Sequence, residues 1–164
     1  MENTILNNRQ IEQKIDRMAY QILEDNMDES EIVFIGIANR GVEVAKKLKD
    51  AFEEISSIPV KLIPLKIDKT NTQEIFSKQY DLSLKGKEIV ILIDDVLNTG
   101  ETLMCAAYII LKAGVKKLRT AVLVDRRHRK FPIKADFAGL TLSTTLEDHI
   151  EVESKDGQLI AYLQ

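Results

Sequence analysis

The sequence predicts an α/β protein: one domain over residues 1–164, with a mainly parallel central sheet and helices on both faces. Three observations predict it. The apolar runs "IVFIG", "IVILI" and "AVLV" alternate along the chain with segments whose apolar residues recur at helical spacing. Those runs are near-continuous, as suits strands buried on both faces of a parallel sheet. Each run ends in a polar loop, and ligands of open parallel sheets bind beyond the carboxyl ends of the strands.

The elements follow in order. Ile11, Ile15, Met18, Ala19, Ile22 and Leu23 mark an amphipathic helix of about four turns, with Asn7 or Asn8 as its cap. "EIVFIG" (31–36) is a buried strand, "IANRG" a loop, and Val44, Ala45, Leu48, Phe52 and Ile55 the face of a second helix. "IPVKLIPLKI" (58–67) reads as a strand, and Pro64 places it at an edge or a bend. Residues 68–87 are polar and poorly periodic, which predicts a flexible arm or hood. Glu88 to Ile93 is the next strand. After a loop over 94–102, a helix carries Leu103, Ala106, Ala107, Ile110 and Leu111 on one face and stops at Gly114. "LRTAVLVD" (118–125) and "ADFAGL" (135–140) are further strands. "HIEVES" and "LIAYLQ" flank an Asp-Gly turn, which predicts a C-terminal antiparallel hairpin.

Composition narrows the class. The 164 residues are 45% hydrophobic and 30% charged, with net charge -3. No apolar stretch reaches the ~20 residues of a membrane span, and no signal peptide is expected at the N-terminus. The single Cys105 forms no intramolecular disulfide and no Cys-based zinc site, which fits a cytoplasmic location. Cys105 itself reads as a small core residue, and His149 as structural or exposed. A dedicated nucleic-acid binder carries a basic surplus that is absent here. The basic residues cluster locally instead, at Arg126, Arg127, His128, Arg129 and Lys130. That cluster is either a solvated turn or an anion site.

The densest signal is "IVILIDDVLNTGETLMCAA" (89–107). Thr99, Gly100 and Thr102 sit where a loop becomes a helix. Free backbone N–H groups and the helix dipole favour an anion there, and Gly100 lets the backbone approach it. Neither the Walker loop nor the G-x-G-x-x-G fingerprint is present. Asp94 and Asp95 stand just before this cradle. They can accept hydrogen bonds from a ribose diol, or hold a magnesium ion through water. Arg40, before Gly41, can clamp a pyrophosphate.

"VILIDDVLNTGET" resembles the phosphoribosyl-pyrophosphate (PRPP) signature of type I phosphoribosyltransferases. "ILNNRQIEQKIDRMAYQILEDN", "IGIANRGVEVAKKL" and "AVLVDRRHRKFPIKADFAGLTLST" resemble one branch, the PyrR-type proteins, which are pyrimidine-operon attenuators with uracil phosphoribosyltransferase activity. The likeness covers most of the chain except 68–87. It implies the type I phosphoribosyltransferase fold, a homo-oligomer, and the reaction of uracil or another nucleobase with PRPP to give UMP or another nucleotide and pyrophosphate, with Mg2+. It implies that Asp94 and Asp95 bind the ribose hydroxyls, and that Val96, Leu97, Asn98, Thr99, Gly100, Glu101 and Thr102 wrap the 5-phosphate. Ala38, Asn39, Arg40 and Gly41 would form the pyrophosphate loop. Asp125, Arg126, Arg127, His128 and Arg129 would lie near the base and the pyrophosphate. No direct protein ligand to the metal is implied.

The chain departs from the pattern in three places. The arm is short and lacks a Tyr-Arg-Asp-Asp-like motif, reading "LKIDKTNTQ" there. Asn98 replaces a frequent aromatic residue, and Glu101 a frequent Arg. Two other functions therefore stand beside the enzyme: a nucleotide-sensing RNA-binding regulator, which the acidic balance does not favour, and a sensor that binds PRPP or nucleotide without turnover.

Overall fold

The computed structural model describes residues 3–164. The first described element is a short strand, β1 (Asn3–Leu6), which the sequence pattern did not reveal. Helix α1 (Asn8–Asp25) follows, and Asn7 caps it. Asn7 Oδ1 accepts from Gln10 N at 2.9 Å while Gln10 Oε1 accepts from Asn7 N at 2.9 Å, so two terminal N–H groups are satisfied reciprocally. Its buried stripe is Ile11, Ile15, Met18, Ala19 and Ile22. Each large apolar side chain of such a stripe stabilises by about 1.5–3 kcal/mol on burial.

Strand β2 (Ile32–Ile37) is buried throughout and passes directly into helix α2 (Ala38–Ile55). The loop expected between them is absent. Ala38 makes the turn with φ +52°, a left-handed conformation that costs a non-glycine residue about 1–3 kcal/mol. Strand β3 (Val60–Leu65) comes next, and a 3-10 turn (Thr72–Phe76) interrupts the polar stretch. Strand β4 (Ile89–Leu97) runs four residues past its expected end, because Asp94 to Leu97 continue the ladder with the following strand. Helix α3 (Glu101–Ala113) ends at Gly114. It buries Ile109 where the sequence suggested Leu111, which is 61% exposed. Strands β5 (Lys117–Asp125), β6 (Phe137–Thr141), β7 (Ile150–Lys155) and β8 (Gln158–Leu163) complete the chain.

Five strands pair in parallel in the order β3-β2-β4-β5-β6, with β3, the Pro64 strand, at an edge. Helices α1 and α2 cover one face, where Ile11, Met18, Val44, Leu48 and Phe52 join Phe34, Ile91 and Ala121 in one core. Helix α3 covers the other, where Leu103, Ala106 and Ile110 meet Val33, Ile35, Leu92 and Val122. Strands β7 and β8 form the expected hairpin. Asp156 (φ +52°) and Gly157 (φ +77°) supply the two positive φ angles that a tight turn of this twist needs. Strand β1 adds to β8, giving a separate antiparallel sheet, β1-β8-β7. Val152, Leu159 and Ala161 seat that sheet on the α1–α2 core.

The chain leaves β2 toward β3 on one side and β4 toward β5 on the other. The order therefore reverses between β2 and β4. Pairing of these strands stops at Gly36 and Ile93, so β4 projects Asp94 to Leu97 beyond its neighbour. A crevice at such a reversal is where open parallel sheets bind ligands.

Candidate active site

The projecting end of β4 organises the crevice. Asp94 is almost fully buried, with 3% of its surface exposed, and lies against the first turn of α2. Gly41 makes that approach possible: a Cβ there would stand 2.9 Å from Ile93 O and 3.2 Å from Asp94 Oδ1. Asp94 Oδ1 accepts from Asp95 N at 2.9 Å. Lys69 Nζ, from the polar stretch after β3, donates to Asp94 Oδ1 at 2.9 Å and Oδ2 at 3.1 Å, and to Asp95 Oδ1 at 3.4 Å. Burial pushes the Asp94 carboxyl up to about 8; the charge of Asp95 adds to the rise and Lys69 opposes it. The two acids are therefore unequal. Asp94 is enclosed and engaged, whereas Asp95 borders open space.

Beyond them the chain turns at Gly100 (φ +92°) into α3. Thr99 Oγ1 accepts from Glu101 N at 3.3 Å, and the other leading N–H groups of the helix are available to a ligand. Lys69, Asp94 and residues Val96 to Thr102 wall a cavity of about 70 Å³. A second cavity, of about 350 Å³, opens beside it, bounded by Ala38, Asn39, Arg40, Lys69, Asp95 and Glu151 among others. Lys69 belongs to the walls of both.

The pyrophosphate-loop expectation divides here. Ala38, Asn39 and Arg40 face the larger cavity, Arg40 Nη1 lying 3.4 Å from Glu43 Oε2, while Gly41 faces Asp94. The peptide bonds there are trans. The basic segment lies elsewhere: residues 125–129 wall neither cavity. Arg126 is 5% exposed and donates to Thr144 Oγ1 at 2.7 Å, Thr145 O at 2.9 Å and Asn98 Oδ1 at 3.3 Å. His128 Nε2 is 3.0 Å from Thr144 O. Arg129 donates to Asn98 O, Ile133 O and Asp125. Arg127 and Lys130 are exposed.

Sequence reasoning missed Lys69 and Glu151. Lys69 is one lysine in a stretch without periodicity, and nothing local marks it. Glu151 arrives from the antiparallel sheet, whose position the pattern cannot give. The Glu101 substitution has a local explanation: Glu101 Oε1 accepts from Thr72 Oγ1 at 2.9 Å, so its carboxylate is occupied by the polar stretch. Thr72, Ile75 and Leu82 are buried, which seats that stretch on α3.

Among the described residues no three His, Cys, Asp or Glu side chains converge on a metal position. The larger cavity is lined by two acidic residues, Asp95, which Lys69 contacts at 3.4 Å, and Glu151, whose Oε2 accepts from Gln164 Nε2 at 2.8 Å, together with Arg40 and Lys69. Hard oxygen donors of this kind fit a magnesium ion that keeps most of its waters and is carried by substrate phosphates. No helix of the described residues is long and apolar enough to cross a membrane.

A parallel sheet with a phosphate-sized cradle and an adjoining carboxylate pair at its reversal point defines the class: this is the type I phosphoribosyltransferase fold. Residues 1–155 match the phosphoribosyl transferase domain family. The chain belongs to that family, and within it to the PyrR proteins. It is 33% identical over 170 residues to the "Bifunctional protein PyrR" of Limosilactobacillus reuteri, covering 96% of this chain and 95% of that one. The protein of the same name from Haemophilus ducreyi is 34% identical, covering 94% and 91%. Among solved structures, the hypoxanthine-guanine phosphoribosyltransferase of Bacillus anthracis superposes with TM-score 0.78 at 21% identity, covering 100% of this chain and 98% of that chain. The hypoxanthine phosphoribosyltransferase of Trypanosoma cruzi gives TM-score 0.77 at 17% identity, covering 98% and 96%.

Proposed function

We propose that this protein transfers the 5-phosphoribosyl group of PRPP to uracil, giving UMP and pyrophosphate. The observation that carries the reading is the junction at the end of β4. There a cradle for one phosphate, a carboxylate pair and a larger cavity with Arg40 and Lys69 in its wall lie side by side. PRPP has a phosphate at one end, vicinal hydroxyls in the middle and a pyrophosphate at the other, in that order.

The backbone of Val96 to Thr102 holds the 5-phosphate, with Thr99, Gly100 and Thr102 nearest. Asp95 accepts the ribose hydroxyls, and Asp94 fixes it from behind through the Asp95 N–H. Ala38, Asn39 and Arg40 hold the pyrophosphate, and Gly41 lets α2 approach closely enough to place them. The bond from C1 to the pyrophosphate oxygen lengthens and C1 acquires positive charge. The site promotes this by holding the reactants in position and by meeting the growing charge on the leaving group with Arg40. Asp95 and Glu151, which line the same cavity, would hold a magnesium ion through its waters, and such an ion would supply further neutralisation of the pyrophosphate charge. The bond breaks with its electron pair leaving on pyrophosphate, the base nitrogen bonds C1, and the proton of that nitrogen passes to water or to the departing pyrophosphate. Residues 68–87 act as a flexible arm that excludes water, within a single domain spanning 1–164. The base is uracil because the sequence likeness runs to the PyrR branch, whereas the purine enzymes share the fold at 17–21% identity.

The decisive experiment is pyrophosphate release from PRPP and magnesium with uracil, hypoxanthine, guanine, xanthine and orotate. Release with uracil is the expected result. Release with none of the five removes the enzyme reading and leaves a binding protein. A second activity, RNA binding, follows from the likeness to the PyrR-type attenuators, whose members here are named bifunctional. Salt-dependent retention of its own leader RNA tests it. The protein works in the cytoplasm as a homo-oligomer, a state supported by the exposed Phe76, Met104, Tyr108 and Leu111 around α3 and measurable by light scattering.

A further inference from the structure

The cradle walls pose a geometric problem. An anion is held by N–H groups, yet each residue of the turn Leu97-Asn98-Thr99 also carries a carbonyl, and a carbonyl aimed at a phosphate repels it. In this chain all three carbonyls are taken by one segment on the far side. Leu97 O accepts from Arg126 N at 3.0 Å, and Thr99 O accepts from Lys130 N at 2.9 Å and Phe131 N at 3.0 Å. The middle one, Asn98 O, accepts from the guanidinium of Arg129, whose Nη1 stands 2.7 Å away.

The guanidinium is itself held in place. Nε donates to Ile133 O at 2.9 Å, and Nη2 donates to Asp125 Oδ1. Asp125 ends β5 directly beside Leu97 of β4, so the anchor is built into the sheet. Gly100 completes the contact: a Cβ there would meet Ile133 Cγ2 at 2.8 Å, Phe131 O at 3.3 Å and Arg129 Cδ at 3.6 Å. The 129–133 segment thus presses against the back of the turn whose front walls the 70 Å³ cavity.

We infer that Arg129 is a positioning residue for phosphate binding: by fixing the Asn98 carbonyl behind the turn, it keeps the N–H groups of residues 98–100 and 102 aimed into the small cavity, the Glu101 N–H being held by Thr99 Oγ1. It touches neither the phosphate nor the base. This differs from the role near the base and pyrophosphate that its place in the sequence suggested. It rests on the phosphoribosyl reading for the identity of the ligand, though the geometry itself concerns only a phosphate group. A planar, permanently charged fork suits the task, because three acceptors at different angles are held by one rigid group.

The test compares the wild-type protein with Arg129→Ala and Arg129→Lys. Ribose 5-phosphate binding is measured by calorimetry, and steady-state kinetics are measured with PRPP and uracil. Removing a charge-assisted hydrogen bond predicts an affinity for ribose 5-phosphate at least about tenfold weaker in Arg129→Ala. The KM for PRPP rises by the same factor, with kcat at saturation and the KM for uracil within about threefold of wild type. Added guanidinium ion restores the affinity. Arg129→Lys keeps the charge on a single nitrogen, which cannot reach all three acceptors, and falls between the two; it carries the test should the alanine variant not fold. Wild-type affinity for ribose 5-phosphate in a folded variant overturns the inference. So does a loss confined to kcat, or a loss that guanidinium does not repair. A wild-type protein that binds ribose 5-phosphate but turns over no base refutes the enzyme reading and leaves this inference standing on the calorimetry. A wild-type protein that does not bind ribose 5-phosphate refutes both.

Discussion

Replacing Gly41 by alanine puts a methyl carbon 2.9 Å from Ile93 O, 3.2 Å from Asp94 Oδ1 and 3.3 Å from Asp94 Cα. Two of these neighbours are main-chain atoms of β4, the strand at the middle of the sheet, so no flexible side chain can swing aside. Either the first turn of α2 lifts from β4 or the Asp94 region shifts. Overpacking of this kind costs about 1–3 kcal/mol. For a chain of this length that corresponds to a fall in melting temperature of roughly 2–12 °C. The functional effect is larger in proportion. Gly41 lies between Arg40 and Asp94, so a displacement of a few tenths of an ångström changes the distance between the pyrophosphate and ribose contacts. Misplacement approaching 1 Å costs on the order of 100-fold in rate. Calorimetric melting and kcat/KM for PRPP, measured on the same preparation, check both numbers. A Gly41→Ala protein with wild-type melting temperature and kcat/KM within twofold would show that α2 and β4 do not meet as described.

Three further outcomes are expected. Asp95→Asn reduces PRPP affinity more than Asp94→Asn does, because Asp95 borders the open cavity and Asp94 is enclosed; equal losses in equilibrium binding would contradict that ranking. Asp94 also makes stability depend on pH. Its folded value is raised above the unfolded one, so the favourable contribution is full below about pH 4 and is lost as pH rises through about 8, at up to about 1.4 kcal/mol per pH unit. Chemical denaturation from pH 5 to 9 should show a steeper fall in the wild type than in Asp94→Asn, and parallel curves would refute it. Finally, Lys69→Met combined with Thr72→Val removes the ties from the polar stretch to Asp94, Asp95 and Glu101. Trypsin should then cut at Lys78, Lys85 or Lys87 several-fold faster, and unchanged cleavage would show that these ties do not hold the stretch.

Much of the fold was legible because the pattern repeats over long segments. The buried runs at 32–37, 89–93 and 120–124 are near-continuous and the helical stripes between them are periodic, and both patterns follow directly from burial. The Asp-Gly turn was legible because few residues tolerate its angles. Strand β1 was not, since a four-residue strand with two exposed positions has too little pattern to read. The end of β4 was misplaced because acids were taken as a stop signal, although pairing with β5 carries the strand through them. Leu111 was placed on the helical face of Leu103, Ala106, Ala107 and Ile110, yet in the last turns of α3 Ile109 faces the core and Leu111 is exposed.

What the sequence by itself determined is the chemistry concentrated in one stretch. Two acids, a Thr-Gly turn and a helix start lie within nine residues of one another, so local geometry alone assembles them into one surface. The tertiary structure decided how those groups differ and what supports them. Asp94 is enclosed because Gly41, 53 residues earlier, lets a helix close over it, and Lys69 reaches the pair from the polar stretch that follows β3. Within the basic cluster, read as a solvated turn or an anion site, Arg126 and Arg129 donate to carbonyls of neighbouring loops, while Arg127 and Lys130 are exposed. Contacts of that kind depend on which chain segments the sheet brings side by side. A linear pattern carries the residues but not their distances.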